Sequence, residues 1–232
     1  AIHAFKANQN INVFILHPYG KVSPMQQKQM TTVDEENIFN IAIEGNFDDC
    51  QKIVKTLFVD DEIQNRTSLT AINSINWARL IAQVVYYFWS HLQINNKDIN
   101  FIVPSGNFGN IFSAYVAKQM GLPINRLHVA TNENDILKSI ITRGQMTKKI
   151  VSQTYSPSMD IQISSNFERQ MFESFDRDSN QVNNAFNEFH KTGNYLFNSN
   201  TIDNFKQIYD ASSINDDETL VTISKVFEKY NY

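Results

Sequence analysis

Apolar residues return along this chain at two different spacings. Short runs of β-branched and aromatic residues at 11–16, 37–44, 99–103 and 127–130 read as strands. Between them, apolar positions recur every three or four residues, the mark of helices with one buried face. Ser23-Pro24 opens a helix to about Met30, with proline in the first turn. Residues 47–58 form an amphipathic helix with Cys50, Ile53, Val54 and Leu57 on one face. Residues 75–92 form a long helix apolar around most of its circumference, which predicts burial. Helices at 111–120 and 134–142 are closed by Gly121 and Gly144, and residues 1–8 read as the end of a helix. Strands alternating with helices predict an α/β fold with a doubly wound sheet.

After Gly144 the alternation fades. Residues 152–158 read as a polar loop, and 166–175, 182–190, 201–209 and 217–230 as helices. Phe167, Met171, Phe172, Phe175, Phe186 and Phe189 face a core, with caps expected at Asn200-Thr201 and Asn215-Asp216. No internal repeat or low-complexity tract is visible. We place a lobe boundary near residue 68, giving 1–67 as part of a smaller lobe and 68–232 as part of a larger one.

A chain of 232 residues, 42% hydrophobic, has ample core for this architecture. A net charge of −4 and no Lys/Arg block argue against a nucleic-acid surface. Cys50 is the one cysteine, so no internal disulfide forms and a reducing, cytoplasmic setting is expected. The longest apolar runs, such as 84–89, are too short to span a bilayer, and the N-terminus carries no signal-peptide pattern. It reads as the middle of a helix, so the chain is expected to start inside a larger protein.

Candidate chemistry gathers at two helix starts. Ser105-Gly106-Asn107-Phe108-Gly109-Asn110 lies between a strand and a helix. Glycines there allow close approach of the backbone, and the first-turn amides with the helix dipole favour an anion. The alternative is an ordinary turn capped by Ser105 or Asn107. Upstream, Asn73-Ser74 can cap the long helix, and Asn76, Arg79 and Gln83 share one face of it. A buried arginine needs a partner, either an Asp or Glu elsewhere or a ligand phosphate.

Together these segments resemble threonine synthase, a pyridoxal-phosphate enzyme family of fold type II (tryptophan synthase β-like). The resemblance covers nearly the whole chain. Val103 through Asn110 is similar to the family's cofactor-phosphate loop, and Asn73-Ser74-Ile75-Asn76-Trp77-Ala78-Arg79 to its Asn-Ser-x-Asn-x-x-Arg segment. Val22 through Met30, Ala130 through Asp135 and Ser158-Met159-Asp160-Ile161 resemble further family segments. The resemblance implies conversion of O-phospho-L-homoserine and water to L-threonine and phosphate, by γ-elimination and β-addition with pyridoxal 5'-phosphate as electron sink. It implies that Ser105, Gly106, Asn107, Phe108, Gly109 and Asn110 hold the cofactor phosphate, and that Asn73, Ser74 and Arg79 bind the substrate phosphate.

The family's Schiff-base lysine sits in an aromatic-Lys-Asp context that this chain lacks. Phe5-Lys6-Ala7 does not match, because Ala7 stands where Asp is expected. The lysine is expected upstream, and the family's later Asp-Pro-His-Thr-type segment beyond Tyr232. The fold is therefore expected to be incomplete at both ends, with no catalytic residue in this stretch and no turnover by it alone. Two other functions stay open: a non-catalytic phosphate-binding or regulatory homologue, and a nicotinamide-dependent oxidoreductase. The latter is disfavoured because the third glycine of G-x-G-x-x-G is missing. His3, His17, His91, His128 and His190 show no metal-ligand spacing, so no metal is expected. Cys50 reads as a core residue, Asp48-Asp49 and Asp60-Asp61-Glu62 as solvated helix-end charges, and Tyr86 through Trp89 as core packing.

Overall fold

In the computed structural model, residues 2–73, 76–94 and 98–231 are described. They form two compact units, Ala1–Ile72 and Asn73–Tyr232. The first contains α1 (Ile2–Phe5), β1 (Val13–Pro18), α2 (Pro24–Thr31), β2 (Ile38–Ile43), α3 (Phe47–Phe58) and α4 (Asp61–Arg66). β1 and β2 pair in parallel, with Val13 opposite Ile38 and Pro18 opposite Ile43. The helices begin where the sequence supplies caps. The Ser23 hydroxyl accepts from the Gln26 amide, Asn46 and Asp49 form a reciprocal capping box, and Asp60 accepts from the Ile63 amide at 3.0 Å. The amphipathic face of α3 buries Cys50 at 5% exposure. Burial, then the Asp49 charge, pushes that thiol above its ordinary pKa, as expected for an inert core cysteine.

The second unit runs α5 (Trp77–Ile94), β3 (Ile99–Pro104), α6 (Gly109–Gln119), β4 (Ile124–Thr131), α7 (Ile136–Arg143) and β5 (Gln145–Thr147). It continues through α8 (Phe167–Ser174), α9 (Ser179–Thr192), β6 (Asn194–Leu196), α10 (Ser199–Ile208), β7 (Tyr209–Ser213) and α11 (Asp216–Tyr230). β3, β4 and β7 make one parallel sheet in that order, while β5 and β6 form a small antiparallel pair. The core lies between this sheet and its helices. It includes Ile111, Ala114 and Ala117 of α6, Leu127 and Val129 of β4, and Leu137 and Ile140 of α7. Phe167, Met171, Phe175 and Phe189 are buried in it, with Phe172 and Phe186 packed at its edge. Each such side chain contributes about 1.5–3 kcal/mol on leaving water.

Several elements differ from the sequence-based expectation. α5 is not buried all round: Leu80, Val84 and Tyr87 are buried, whereas Val85 and Trp89 are 62% and 63% exposed. Only the stripe that meets α6 is covered, so Trp89 and Tyr86 of the aromatic cluster are exposed rather than core. The strands β5, β6 and β7 were not expected, and the 201–209 helix gives way to β7 at Tyr209. Its cap is Asn198, which accepts from the Thr201 amide, rather than Asn200-Thr201. Asn215 caps α11 as expected, paired with Glu218.

Candidate functional site

The turn between β3 and α6 is held from both sides. The Ser105 amide donates to the Ala130 carbonyl at 2.9 Å, extending the sheet pairing by one residue. Its hydroxyl donates back to the Val103 carbonyl, so Ser105 is not the cap of α6. Phe108 occupies the N-cap position with φ of 62° and supplies no side-chain capping bond. A left-handed conformation costs an L-residue roughly 1–2 kcal/mol. The ring offsets that: it is 1% exposed and sits edge-on to Phe167 at 5.2 Å and Tyr209 at 5.5 Å. Burying it contributes about 1.5–3 kcal/mol, more than the backbone loses.

Behind the turn lies Ser164-Ser165-Asn166, which sequence reasoning left without a role. The Ser164 hydroxyl donates to the Gly106 carbonyl at 2.8 Å. The Asn166 amide and its Nδ2 both donate to the Asn107 carbonyl at 3.1 Å. The Asn107 side-chain oxygen accepts from the Ser165 hydroxyl at 3.2 Å. In a planar trans peptide the carbonyl and the following N–H point opposite ways. With both carbonyls drawn toward 164–166, the amides of Asn107 and Phe108 are directed to the other side. Added to the first-turn amides of α6, they make a nest of donors suited to an oxyanion.

Gly106 is also crowded by the chain itself. A Cβ there would lie 3.0 Å from Ile161 Cδ1, 3.2 Å from Met159 Cα and 3.3 Å from the Ser158 carbonyl oxygen. Glycine at 106 therefore admits the chain's own 158–161 segment. That segment is pinned by Asp160, whose carboxylate accepts from Asn132 Nδ2, Asn134 Nδ2, the Thr154 hydroxyl and the Thr154 amide. Gly109, the first residue of α6, is buried.

The first turn of α6 is tied to the middle of α5 within the same unit. Asn110 Nδ2 donates to Gln83 Oε1 at 3.1 Å, and the Tyr87 hydroxyl donates to the Asn110 carbonyl at 3.0 Å. The Asn110 side chain is thus a strut between α5 and α6. Burial raises the Tyr87 pKa well above the ordinary tyrosine value, so this donor keeps its proton. Arg79 lies one turn before Gln83 on the same face of α5, and it is exposed rather than buried. Asn76 Oδ1 accepts from the Ala78 amide at 2.9 Å, so Asn76 caps the start of α5. Asn73 precedes it, its carbonyl accepting from the Asn76 amide, and Ser74 lies outside the described residues. The Arg169 guanidinium stacks 5.3 Å above the Trp77 ring, adding to this end of α5 a cation that no local pattern marks. No cluster that could hold a metal ion occurs among the described residues, and none of their helices is long and apolar enough to cross a membrane.

No protein-family model matches the chain. Individual proteins do. It is 43% identical over 229 residues to the threonine synthase of Pseudomonas aeruginosa, covering 98% of this chain and 49% of that protein. The crystal structure of PLP-bound threonine synthase from Brucella melitensis superposes with a TM-score of 0.87 at 46% identity, covering all of this chain and 50% of that one. The yeast threonine synthase structure gives 0.83 at 41% identity, covering 98% and 47%. The chain spans about half the length of the curated relatives it matches. Its α/β fold is that of the fold type II pyridoxal-phosphate enzymes.

Proposed function

We propose, for a chain homologous to the threonine synthases along 98% of its length, that it supplies the phosphate-gripping surfaces of a threonine synthase. The reaction would convert O-phospho-L-homoserine and water to L-threonine and phosphate. Pyridoxal phosphate supplies the electron sink for such eliminations. The observation that carries this reading is the start of α6: no cap at Phe108, with the carbonyls of Gly106 and Asn107 tied back. That donor set fits a phosphate dianion.

In this reading Ser105, Gly106, Asn107, Phe108, Gly109 and Asn110 form the cofactor-phosphate cradle. Ser105 and Gly106 shape it, while the amides from Asn107 onward donate. Asn73, Ser74 and Arg79 bind the substrate phosphate, and an exposed, permanently charged guanidinium suits a group that leaves as a free anion. The strut through Asn110 and Gln83 sets the spacing between the two sites. Residues 1–67 would belong to a smaller lobe and 68–232 to the larger, cofactor-binding one. The single cysteine supports a reducing, cytoplasmic setting. No nucleic-acid or membrane partner enters this proposal. Release of phosphate from O-phospho-L-homoserine by the intact protein, dependent on added pyridoxal phosphate, is the expected result. Cofactor binding without phosphate release would leave only a binding module.

A further inference from the structure

We propose that Arg169 is a positioning residue for the phosphate cradle, acting through the side-chain amide of Asn166. The ligand comes from the reading above, but the geometry rests on contacts within the chain. Asn166 is 1% exposed, so its amide group must be satisfied within the protein. The two ends of a carboxamide are nearly isosteric, and partners alone decide which end points where. Arg169 and the Asn107 carbonyl decide it together here. The Arg169 Nε donates to Asn166 Oδ1 at 3.2 Å. A guanidinium has donors and no acceptor, so it selects the oxygen end. The Nδ2 end is thereby turned to the Asn107 carbonyl, reinforcing the bond from the Asn166 backbone amide to the same oxygen. With Asn166 flipped, two oxygens would oppose each other at the Asn107 carbonyl, and the Phe108 amide would lose its fixed direction. The stack over Trp77, 5.3 Å from guanidinium carbon to ring centroid, keeps the arginine in place at the start of α5. Arg169 thus links the first residue of α5 to the turn before α6.

The test compares native protein with Arg169→Met and Arg169→Lys in the intact protein. Methionine keeps length and packing on the indole but removes every donor. Lysine restores a donor-only group without the planar fork. Hydrogen exchange is read at the Asn166 amide, which donates to the Asn107 carbonyl, and at the Phe112 amide, which donates to the Phe108 carbonyl. Arg169→Met is expected to exchange about tenfold faster at both, with Arg169→Lys between it and native, and with Ile140 and Ile141 in the core of α7 unchanged. Pyridoxal-phosphate affinity is expected to fall by about the same factor and to recover partly with lysine. Native exchange rates in every folded variant overturn the proposal, as does acceleration spread evenly through α7. If the native protein binds no pyridoxal phosphate, the cofactor reading fails, while the exchange rates still decide the role of Arg169.

Discussion

The Tyr87 hydroxyl donates to the backbone carbonyl of Asn110 at 3.0 Å, joining the middle of α5 to the first turn of α6. It also bonds the Asn110 side-chain oxygen. Tyr87→Phe keeps the edge-on ring contact with Phe101 at 4.9 Å and removes only the donor. A loss of about 1 kcal/mol in unfolding free energy is expected, with several-fold weaker cofactor binding. Denaturant titration and a binding isotherm on the same variant check both.

Tyr87 and Tyr209 also make stability fall at high pH. Burial raises both pKa values above the unfolded tyrosine value of about 10. Below that pH the neutral phenol is present in both states and their contribution is intact. As pH climbs past it, the unfolded chain ionises first and the folded state loses ground, until the folded pKa is passed. The denaturant midpoint should begin to drop near pH 10 and keep falling above it, and drop less in Tyr87→Phe, by roughly the share that tyrosine carries.

Gly106→Ala should destabilise the chain by about 1–3 kcal/mol. Two of the three atoms the new methyl meets belong to backbone, Met159 Cα and the Ser158 oxygen, and backbone yields less readily than a side-chain tip. Thermal unfolding reads the loss. An unchanged midpoint would mean that the 158–161 segment moves freely and does not shape the turn.

Arg79→Ala should leave stability within about 0.5 kcal/mol, because the side chain is exposed. It should raise the KM for O-phospho-L-homoserine about tenfold or more while sparing cofactor affinity. Equal losses in cofactor and substrate binding would move Arg79 from the substrate phosphate to the cradle.

Much of the fold was legible because its signals are local. The run from Ile99 to Val103, the glycine turn and the apolar helix after it specify strand, turn and helix without help from elsewhere. Asn46 with Asp49 and Asn215 with Glu218 mark helix starts within four residues. What was missed is set at long range. Tyr209–Ser213 has no alternating pattern and is a strand because Leu127–Thr131 lies beside it. Short β5 and β6 exist only as each other's partners. The apolar circumference of α5 suggested full burial, yet one stripe is covered, since the period locates a face and says nothing of what packs on it. At the site, the turn itself could be read, but Ser164 lies 58 residues from Gly106 and no spacing rule links them. The role of Gly106 was invisible for the same reason: the atoms that exclude a Cβ come from 158–161.

Whether the start of α6 grips a phosphate is read by equilibrium dialysis of the intact protein against pyridoxal phosphate. Gly109→Val places a branched side chain at the buried first residue of that helix. Saturable, one-to-one binding by the native protein is expected, with its loss in a Gly109→Val variant whose circular dichroism is unchanged. Equal binding by both would contradict it.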